Sequence, residues 1–309
     1  MKKKIIVITP VSHLDGVEDL LKTKGKVFFE ENIKKNDLKN LIIKENIDTI
    51  VCNPNKQDFK IDKELLSGTN IKLINSCSTG LNHIDIDYCN KNSIIIQSHK
   101  NDLELISELP STSELAFGLM IDLMRHITKS NNFVHSKKKW DYTPFVGNQI
   151  KDSNIGIVGF GRLGKMMYKF CEAFEANLFV YDPYVDDDRV NCKTIEELFE
   201  KSKIVSLHVH VTNETRGMIN YSLLIKGVDY LINTSRGEIV NELDVIKSLK
   251  DKNLKGYGTD VLENEFDDIK NSSFFLLENK NLNLILTPHV GGMTIEGQTK
   301  AYKWSINKL

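Results

Sequence analysis

The fold of this chain is decided by one stretch, Ile155-Gly156-Ile157-Val158-Gly159-Phe160-Gly161-Arg162-Leu163-Gly164. Its apolar start predicts a buried strand, which runs directly into the pattern G-x-G-x-x-G. A helix is predicted at 165–173, and a second apolar run from Leu178 ends in Asp182. The glycine pattern alone is a weak signal. The strand before it, the helix after it and the acidic end of the next strand together make it a strong one.

Each glycine of this pattern has a geometric reason. We expect Gly159 to permit the tight turn, Gly161 to let the backbone approach a pyrophosphate, and Gly164 to let the helix pack closely on the strand. The helix N-terminus supplies amide donors and a positive dipole to the phosphates. Asp182 is expected to accept hydrogen bonds from the adenosine ribose and to repel a 2′-phosphate, which favours NAD over NADP. The sequence therefore predicts a Rossmann domain that binds NAD.

Apolar runs alternate with charged segments of helical length over the whole chain, which predicts parallel sheets with helices on both faces. The predicted fold class is α/β, with two doubly wound parallel-sheet domains: a flavodoxin-like unit followed by the Rossmann domain. Strands of the first unit are predicted at 5–9, 26–30, 48–52, 71–75 and 93–97. Strands of the second are predicted at 155–159, 178–182, 204–208, 230–233, 256–260 and 284–287.

A long apolar helix is predicted to join the two blocks. Ser111 and, three residues later, Glu114 form the pattern of a capping box. The residues at 115–126 are almost continuously hydrophobic, so we expect this helix to be buried against another domain or subunit. A polar stretch at 128–154 then leads into the glycine motif.

The composition describes a globular protein of about two domains: 309 residues, 40% hydrophobic and 27% charged. The 41 basic and 42 acidic residues give a net charge of -1, which argues against a dedicated nucleic-acid binder. Only five of the basic residues are arginines, so each arginine invites a specific explanation.

The cysteines and the N-terminus favour a cytoplasmic protein. The five cysteines form no C-x-x-C pair, which is typical of reduced thiols. The apolar run at 5–11 is too short for a signal peptide, and no stretch approaches the roughly 20 apolar residues of a membrane span. No cluster of metal-binding side chains has suitable spacing, so no metal site is expected.

Polar side chains follow the predicted strands of the second block, where parallel sheets bind ligands. Arg236, the carboxylates Glu263 and Glu265, and His289 are expected to converge at this edge. An arginine can bind an anionic substrate and polarise a carbonyl oxygen. A histidine can exchange the alcohol proton while a neighbouring carboxylate fixes its tautomer. These groups suit hydride transfer to or from a carbonyl beside a carboxylate.

Several separated motifs, in this order, resemble those of the D-isomer-specific 2-hydroxyacid dehydrogenase family. Within this family, the motifs are similar to those of the phosphoglycerate dehydrogenase-like and glyoxylate/hydroxypyruvate reductase-like members. The motifs are Cys77–Asp85, Ser206–Val209, Glu214–Gly217, Leu231–Glu238, Gly258–Glu265 and Leu286–Gly292.

The resemblance implies roles for individual residues. Arg236 would bind the substrate carboxylate and carbonyl, His289 would be the acid/base, and Glu265 rather than Glu263 would be its partner. The cofactor would be held by Gly159, Gly161, the amides of Arg162 and Leu163, Gly164, Asp182, His208, Thr234, Asp260 at the nicotinamide carboxamide, and Gly291. Ser78, Thr79 and Gly80 would form a turn whose amides hold the substrate carboxylate.

The family also implies a discontinuous substrate domain at 1–106 and 292–309, an NAD-binding domain at 107–291, and a homodimer. Asn53 and Lys56 stand where many members carry an arginine or a serine, so both are candidate substrate-binding residues. Lys56 could meet a substrate phosphate or could be an ordinary surface lysine. His210 and Phe266 each occupy a position where the family usually has proline.

We therefore expect an NAD-dependent oxidoreductase that interconverts a small D-2-hydroxy acid and its 2-keto acid. The candidate substrates are 3-phosphoglycerate and glyoxylate/hydroxypyruvate, and neither nucleic acid nor membrane is an expected partner. The alternative is an NAD(H)-sensing binding protein of the same fold without efficient turnover. The complete set of Arg236, Glu265 and His289 favours the enzyme.

Overall fold

Two α/β units make up the fold. A computed structural model describes residues 2–54, 59–265, 269, 272–277 and 282–309. The first unit comprises 1–109 and 292–309, and the second comprises 110–291. Each unit is built on one parallel sheet, which confirms the predicted fold class.

The first unit has a five-stranded sheet in the order β2-β1-β3-β4-β5, which is the flavodoxin-like order. Its strands are β1 Lys3–Val7, β2 Gly25–Phe29, β3 Thr49–Cys52, β4 Leu73–Ser76 and β5 Ile95–Gln97. Its helices are α1 Val17–Lys24, α2 Lys35–Glu45, α3 Lys63–Leu66, α4 Ile86–Lys91, α5 Leu103–Ser107 and, at the end of the chain, α12 Ile295–Asn307.

Both faces of this first sheet are covered, which explains why its strands are continuous apolar runs. Successive side chains of a strand point to opposite faces, so Ile5 and Ile6 enter different apolar clusters. Helix α12 packs in the cluster that contains Ile5. The Thr9 hydroxyl lies 2.8 Å from Tyr302 Oη, and the Asn75 side-chain amide donates to Ser305 O at 3.0 Å. These buried polar contacts fix the C-terminal helix to the first unit.

The second unit has a six-stranded sheet in the order β11-β10-β9-β8-β6-β7. The strand order reverses between β6 and β8, which is the topological switch point where such sheets bind ligands. Its strands are β6 Asn154–Val158, β7 Asn177–Tyr181, β8 Ile204–Leu207, β9 Tyr230–Asn233, β10 Gly256–Thr259 and β11 Leu284–Leu286. Its helices are α6 Ser111–Arg125, α7 Ile127–Lys137, α8 Arg162–Ala173, α9 Ile195–Lys201, α10 Tyr221–Leu224 and α11 Glu242–Lys250.

The long apolar helix α6 is buried against the sheet of its own unit. A side chain at Gly258 of β10 would come within 3.3 Å of Leu119 and Leu123, so the small residue lets α6 lie close to the strand. The predicted capping box is wrong. Pro110 already has helical dihedrals, so the helix starts one residue early and Ser111 is its first residue rather than its cap.

The polar connection at 128–154 contains a helix that its composition did not predict. Helix α7 has no buried residue within the single chain. Within the described part of the chain, no helix combines the length and the apolar character needed to cross a membrane.

Candidate functional site

The three motif glycines occupy different environments at the switch point. Gly159 has a left-handed φ of 89°, and a side chain there would lie 2.5 Å from His208 O. A side chain at Gly164 would lie 2.0 Å from Gly159 O, so α8 can approach β6 only with glycine at this position. A side chain at Gly161 would meet open space. The space in front of Gly161, at the N-terminus of α8, therefore fits the pyrophosphate of a dinucleotide.

Replacing Gly161 with alanine should leave the fold intact and weaken dinucleotide binding. Its φ of -71° suits alanine, and the added methyl group would fill only the space expected to receive phosphate. The matched change of Gly164 to alanine should destabilise the fold by several kcal/mol, because backbone lies 2.0 Å from the new atom. Thermal unfolding and NADH titration separate the two effects. An equal loss of melting temperature in both variants would contradict the distinction.

Asp182 follows β7 and binds the backbone on both sides of its turn. Its Oδ2 accepts from Phe160 N at 2.7 Å, and its Oδ1 accepts from Tyr184 N at 2.9 Å. The carboxylate thus fixes the glycine turn as well as lying where an adenosine ribose is expected. Each carboxylate oxygen has two lone pairs, so these bonds are compatible with further donors.

Arg236 is positioned by a turn that Asn233 builds at the end of β9. The Asn233 side chain accepts from Ser235 N at 3.0 Å and donates to Arg236 O at 2.9 Å. The Ser235 hydroxyl donates to Leu207 O at 2.6 Å, which ties the turn to β8. One guanidinium nitrogen of Arg236 donates to Ser235 O. A guanidinium carries five N–H donors, so this bond leaves the group able to bind an anion.

Asp260, directly after β10, organises the loop that carries His289. Its Oδ1 accepts from Thr287 Oγ1 at 2.5 Å and from Val290 N at 2.8 Å, and its Oδ2 accepts from Gly291 N at 2.7 Å. Burial raises the pKa of Asp260, while these hydrogen bonds favour its charged form. The sequence placed Asp260 near the cofactor but did not predict that it anchors this loop.

His289 and Glu265 form a pair at this edge of the sheet. His289 Nδ1 lies 2.9 Å from Glu265 Oε1, and the two side chains are 26% and 12% exposed. An ionised carboxylate can only accept, so Nδ1 carries the proton and Nε2 is the ring atom that can exchange one with a substrate. The backbone of His289 is left-handed, with φ 53°, which is uncommon for a residue with a side chain.

The backbone at the other candidate carboxylate, Glu263, is bound by helix α11. Its backbone N–H donates to Glu242 Oε1 at 3.0 Å, and burial raises the pKa of Glu242. A side chain at Gly237 would lie about 2 Å from the backbone of Leu262 and Glu263. The segment after Arg236 therefore packs closely against the segment that carries Glu265. The sequence spacing did not predict this contact.

The first unit presents the turn Ser78–Gly80 beyond the end of β4. The Ser78 hydroxyl donates to Gly80 O at 2.8 Å and lies 2.8 Å from Ser76 Oγ. Ser76 Oγ lies 3.3 Å from His83 Nε2, and His83 is 2% exposed. Burial lowers the pKa of His83 from 6.5 to about 4, so a neutral imidazole supports this turn.

His83 should make the stability of the first unit sensitive to acid. Its folded pKa lies below the unfolded value, so its contribution is complete above pH 6.5 and is lost as the pH falls towards 4. The full effect is about 3 kcal/mol. Thermal unfolding of His83→Gln should depend less steeply on pH in this window than that of the wild type. Substitution of the exposed His13 should keep the wild-type slope, and a slope unchanged by His83→Gln would contradict the prediction.

The remaining candidate residues are distributed as follows. Asn53 is buried, at 5% exposed, and interacts with Tyr302. Lys56 and Phe266 lie outside the described residues. His210 is exposed.

Two buried polar atoms remain at the strand ends of the second unit. Among the described residues, Thr234 Oγ1 and His208 Nδ1 have no hydrogen-bond partner. His208 Nε2 lies 2.9 Å from Ser206 Oγ, and burial lowers the pKa of His208 to about 4. Unsatisfied buried polar atoms at this edge fit a site that receives a polar ligand. The described residues include no group of three or more His, Cys, Asp or Glu able to hold a metal ion.

The fold and this site define a protein with a Rossmann-type dinucleotide-binding domain. Residues 117–291 match the family model described as "D-isomer specific 2-hydroxyacid dehydrogenase, NAD binding domain", and residues 5–104 match the catalytic domain of the same family. The chain belongs to the D-isomer-specific 2-hydroxyacid dehydrogenase family, and its cofactor is NAD.

Three relatives illustrate the similarity of this chain to known proteins. The D-3-phosphoglycerate dehydrogenase of Bacillus subtilis is 32% identical over 251 residues, which are 77% of this chain and 45% of that protein. The chain thus spans less than half the length of this relative. The glyoxylate reductase of Thermococcus litoralis is 34% identical over 253 residues, 77% of this chain and 73% of that protein. Among solved structures, the NAD+-bound 3-phosphoglycerate dehydrogenase of Entamoeba histolytica is 28% identical, with a TM-score of 0.74 over 100% of this chain and 94% of that one.

Proposed function

We propose that this chain interconverts a small D-2-hydroxy acid and its 2-keto acid. The observation that carries the proposal is the His289–Glu265 pair at 2.9 Å, on strand ends next to the one that carries Arg236. Strands β9, β10 and β11 are consecutive neighbours, so their carboxyl ends deliver the arginine, the carboxylate and the histidine to one edge. The relatives reported above and the family members that the motifs resemble make 3-phosphoglycerate, glyoxylate and hydroxypyruvate the first substrates to test.

Each residue of the site has a separate role in the proposed reaction. NAD, when bound, accepts or supplies the hydride. Arg236 binds the substrate carboxylate and stabilises negative charge that develops on the carbonyl oxygen. His289 Nε2 takes the proton from the alcohol or returns it to the carbonyl oxygen. Glu265 fixes the tautomer that makes this possible and stabilises the imidazolium. We propose that the amides of Ser78, Thr79 and Gly80 also bind the substrate carboxylate.

The cofactor roles follow the site geometry. Gly159, Gly161 and Gly164 shape the pyrophosphate turn, Arg162 and Leu163 supply amides, and Asp182 accepts from the ribose. His208 Nδ1 and Thr234 Oγ1, which have no partner among the described residues, and the Asp260–Gly291 contact would face the nicotinamide half.

A panel of 2-keto acids with NADH, followed at the nicotinamide absorbance, tests the proposal. It should include phosphorylated and unphosphorylated members, because this comparison also shows whether Lys56 serves a substrate phosphate. At least one member should be reduced with steady turnover. Tight NADH binding with no turnover across the panel would contradict the enzyme and indicate a sensing protein.

We further propose a homodimer that forms on the second unit. Helix α7 has no buried residue, and it is followed by Trp140, Tyr142 and Val146, which are 93%, 83% and 74% exposed. Large apolar side chains grouped on one surface typically mark an interaction site. Sedimentation analysis of the wild type and of a Trp140 variant tests this assembly.

All five cysteines are buried thiols, which supports a reducing, cytoplasmic location.

A further inference from the structure

One carboxylate of the loop after β7 binds two cations at once. Asp187 accepts from Arg189 Nε and Nη2, both at 2.8 Å, and lies 3.2 Å from Lys165 Nζ. The contact with Arg189 is bidentate, which is the strongest geometry for such a pair. These cations pull the pKa of the Asp187 carboxyl far below its ordinary value. Lys165 and Arg189 are therefore both bound by this one carboxylate.

Arg189 and Lys165 lie beside the turn that is expected to receive the adenosine end of the cofactor. Phe160, between the first two motif glycines, donates its N–H to Asp182 at 2.7 Å. The Arg189 guanidinium carbon lies 4.8 Å from the centre of the Phe160 ring, and Lys165 Nζ lies 5.5 Å from it. Asp182 and the two cations thus flank one residue, and Lys165 directly follows the last glycine of the motif.

We propose that Asp187 is a specificity-determining residue that helps the site select NAD over NADP. The proposal rests on the NAD site described above. A 2′-phosphate adds about two negative charges, and it needs basic partners to offset the loss of its hydration. Here the nearby cations are already engaged, so NADP would have to break the pairs with Asp187. Asp182 adds repulsion at the ribose, and the two carboxylates act together against the phosphate.

The test is the substitution Asp187→Asn, with dissociation constants of NADPH and NADH measured by calorimetry. Release of Arg189 and Lys165 should tighten NADPH binding about tenfold, which is within the range of a charged hydrogen bond. NADH binding should stay within about twofold of the wild type. The matched control is Asp188→Asn, which changes the net charge equally at an exposed neighbour and should leave both constants nearly unchanged.

The double variant Asp187→Asn/Arg189→Ala identifies the cation. It should lose most of the gain in NADPH binding if Arg189 is the released partner. If Asp187→Asn and Asp188→Asn changed NADPH binding equally, net charge alone would explain the change, and the proposal would be overturned. A parallel loss of NADH and NADPH binding in Asp187→Asn would show a purely structural role and also overturn it. A wild type that binds neither nucleotide would refute the NAD site itself, and this inference with it.

Discussion

Replacing His289 with alanine should lower kcat by about 10²- to 10⁴-fold, the usual contribution of a positioned acid/base. The pair with Glu265 directs Nε2 of His289 to the proton transfer. NADH binding should stay nearly unchanged, because the glycine turn and Asp182 lie at other strand ends. Single-turnover rates and NADH titration measure the two effects separately.

The left-handed backbone of His289 calls for a second variant. Alanine is strained at φ 53°, so His289→Ala could lose activity by deforming the loop. Asparagine tolerates this conformation but carries no comparable acid/base. His289→Asn should therefore lose as much turnover as His289→Ala while keeping the wild-type melting temperature. Wild-type-like turnover in His289→Asn would refute the assigned role.

The sequence predicted the two sheets well because buried parallel strands are short, apolar and bounded by polar residues. The strand at Tyr230–Asn233 has the predicted limits, and the others differ by at most about two residues at either end. Since the carboxyl ends of such strands share one edge, the expectation that Arg236, a carboxylate and His289 lie at that edge needed no tertiary information. The choice of Glu265 over Glu263 came from the family resemblance. The glycine pattern added the position of the first turn.

Other features depend on contacts between segments far apart in the sequence. Asp260 anchors the histidine loop through backbone N–H groups some 30 residues later, and Glu242 binds the backbone of Glu263. In the sequence, neither Asp260 nor Glu242 has a spacing or a neighbourhood that distinguishes it from an ordinary charged surface residue. The failed capping box at Ser111 has a local cause, since the dihedrals of the preceding proline determine where the helix starts.

The small number of arginines gains a physical meaning from the structure. Arg189 lies over the rings of Phe160 and Tyr168 while its guanidinium binds Asp187 bidentately, a contact that a lysine could not reproduce. Arg236 extends from a turn fixed by Asn233. Both arginines occupy places where a planar group with several donors is required.

The last prediction uses this difference between arginine and lysine. Arg236→Ala should lower kcat/KM by about 10³-fold or more, because it removes both the substrate anchor and the charge facing the developing oxyanion. Arg236→Lys keeps the positive charge but loses the fork, so it should recover only part of this loss. Its KM should rise by about 10- to 100-fold, the cost of one charged hydrogen bond. Steady-state kinetics with the best substrate of the panel give both values.

The matched control is the exposed Arg125 at the end of α6, whose substitution by alanine should leave kcat/KM and NADH binding unchanged. NADH binding should also persist in both Arg236 variants, because the turn at Asn233 holds its shape through backbone and asparagine contacts. If Arg236→Lys were as active as the wild type, a simple positive charge would be sufficient. The bidentate recognition of a carboxylate next to the reacting carbonyl would then be wrong, and with it the argument that this site selects 2-hydroxy acids.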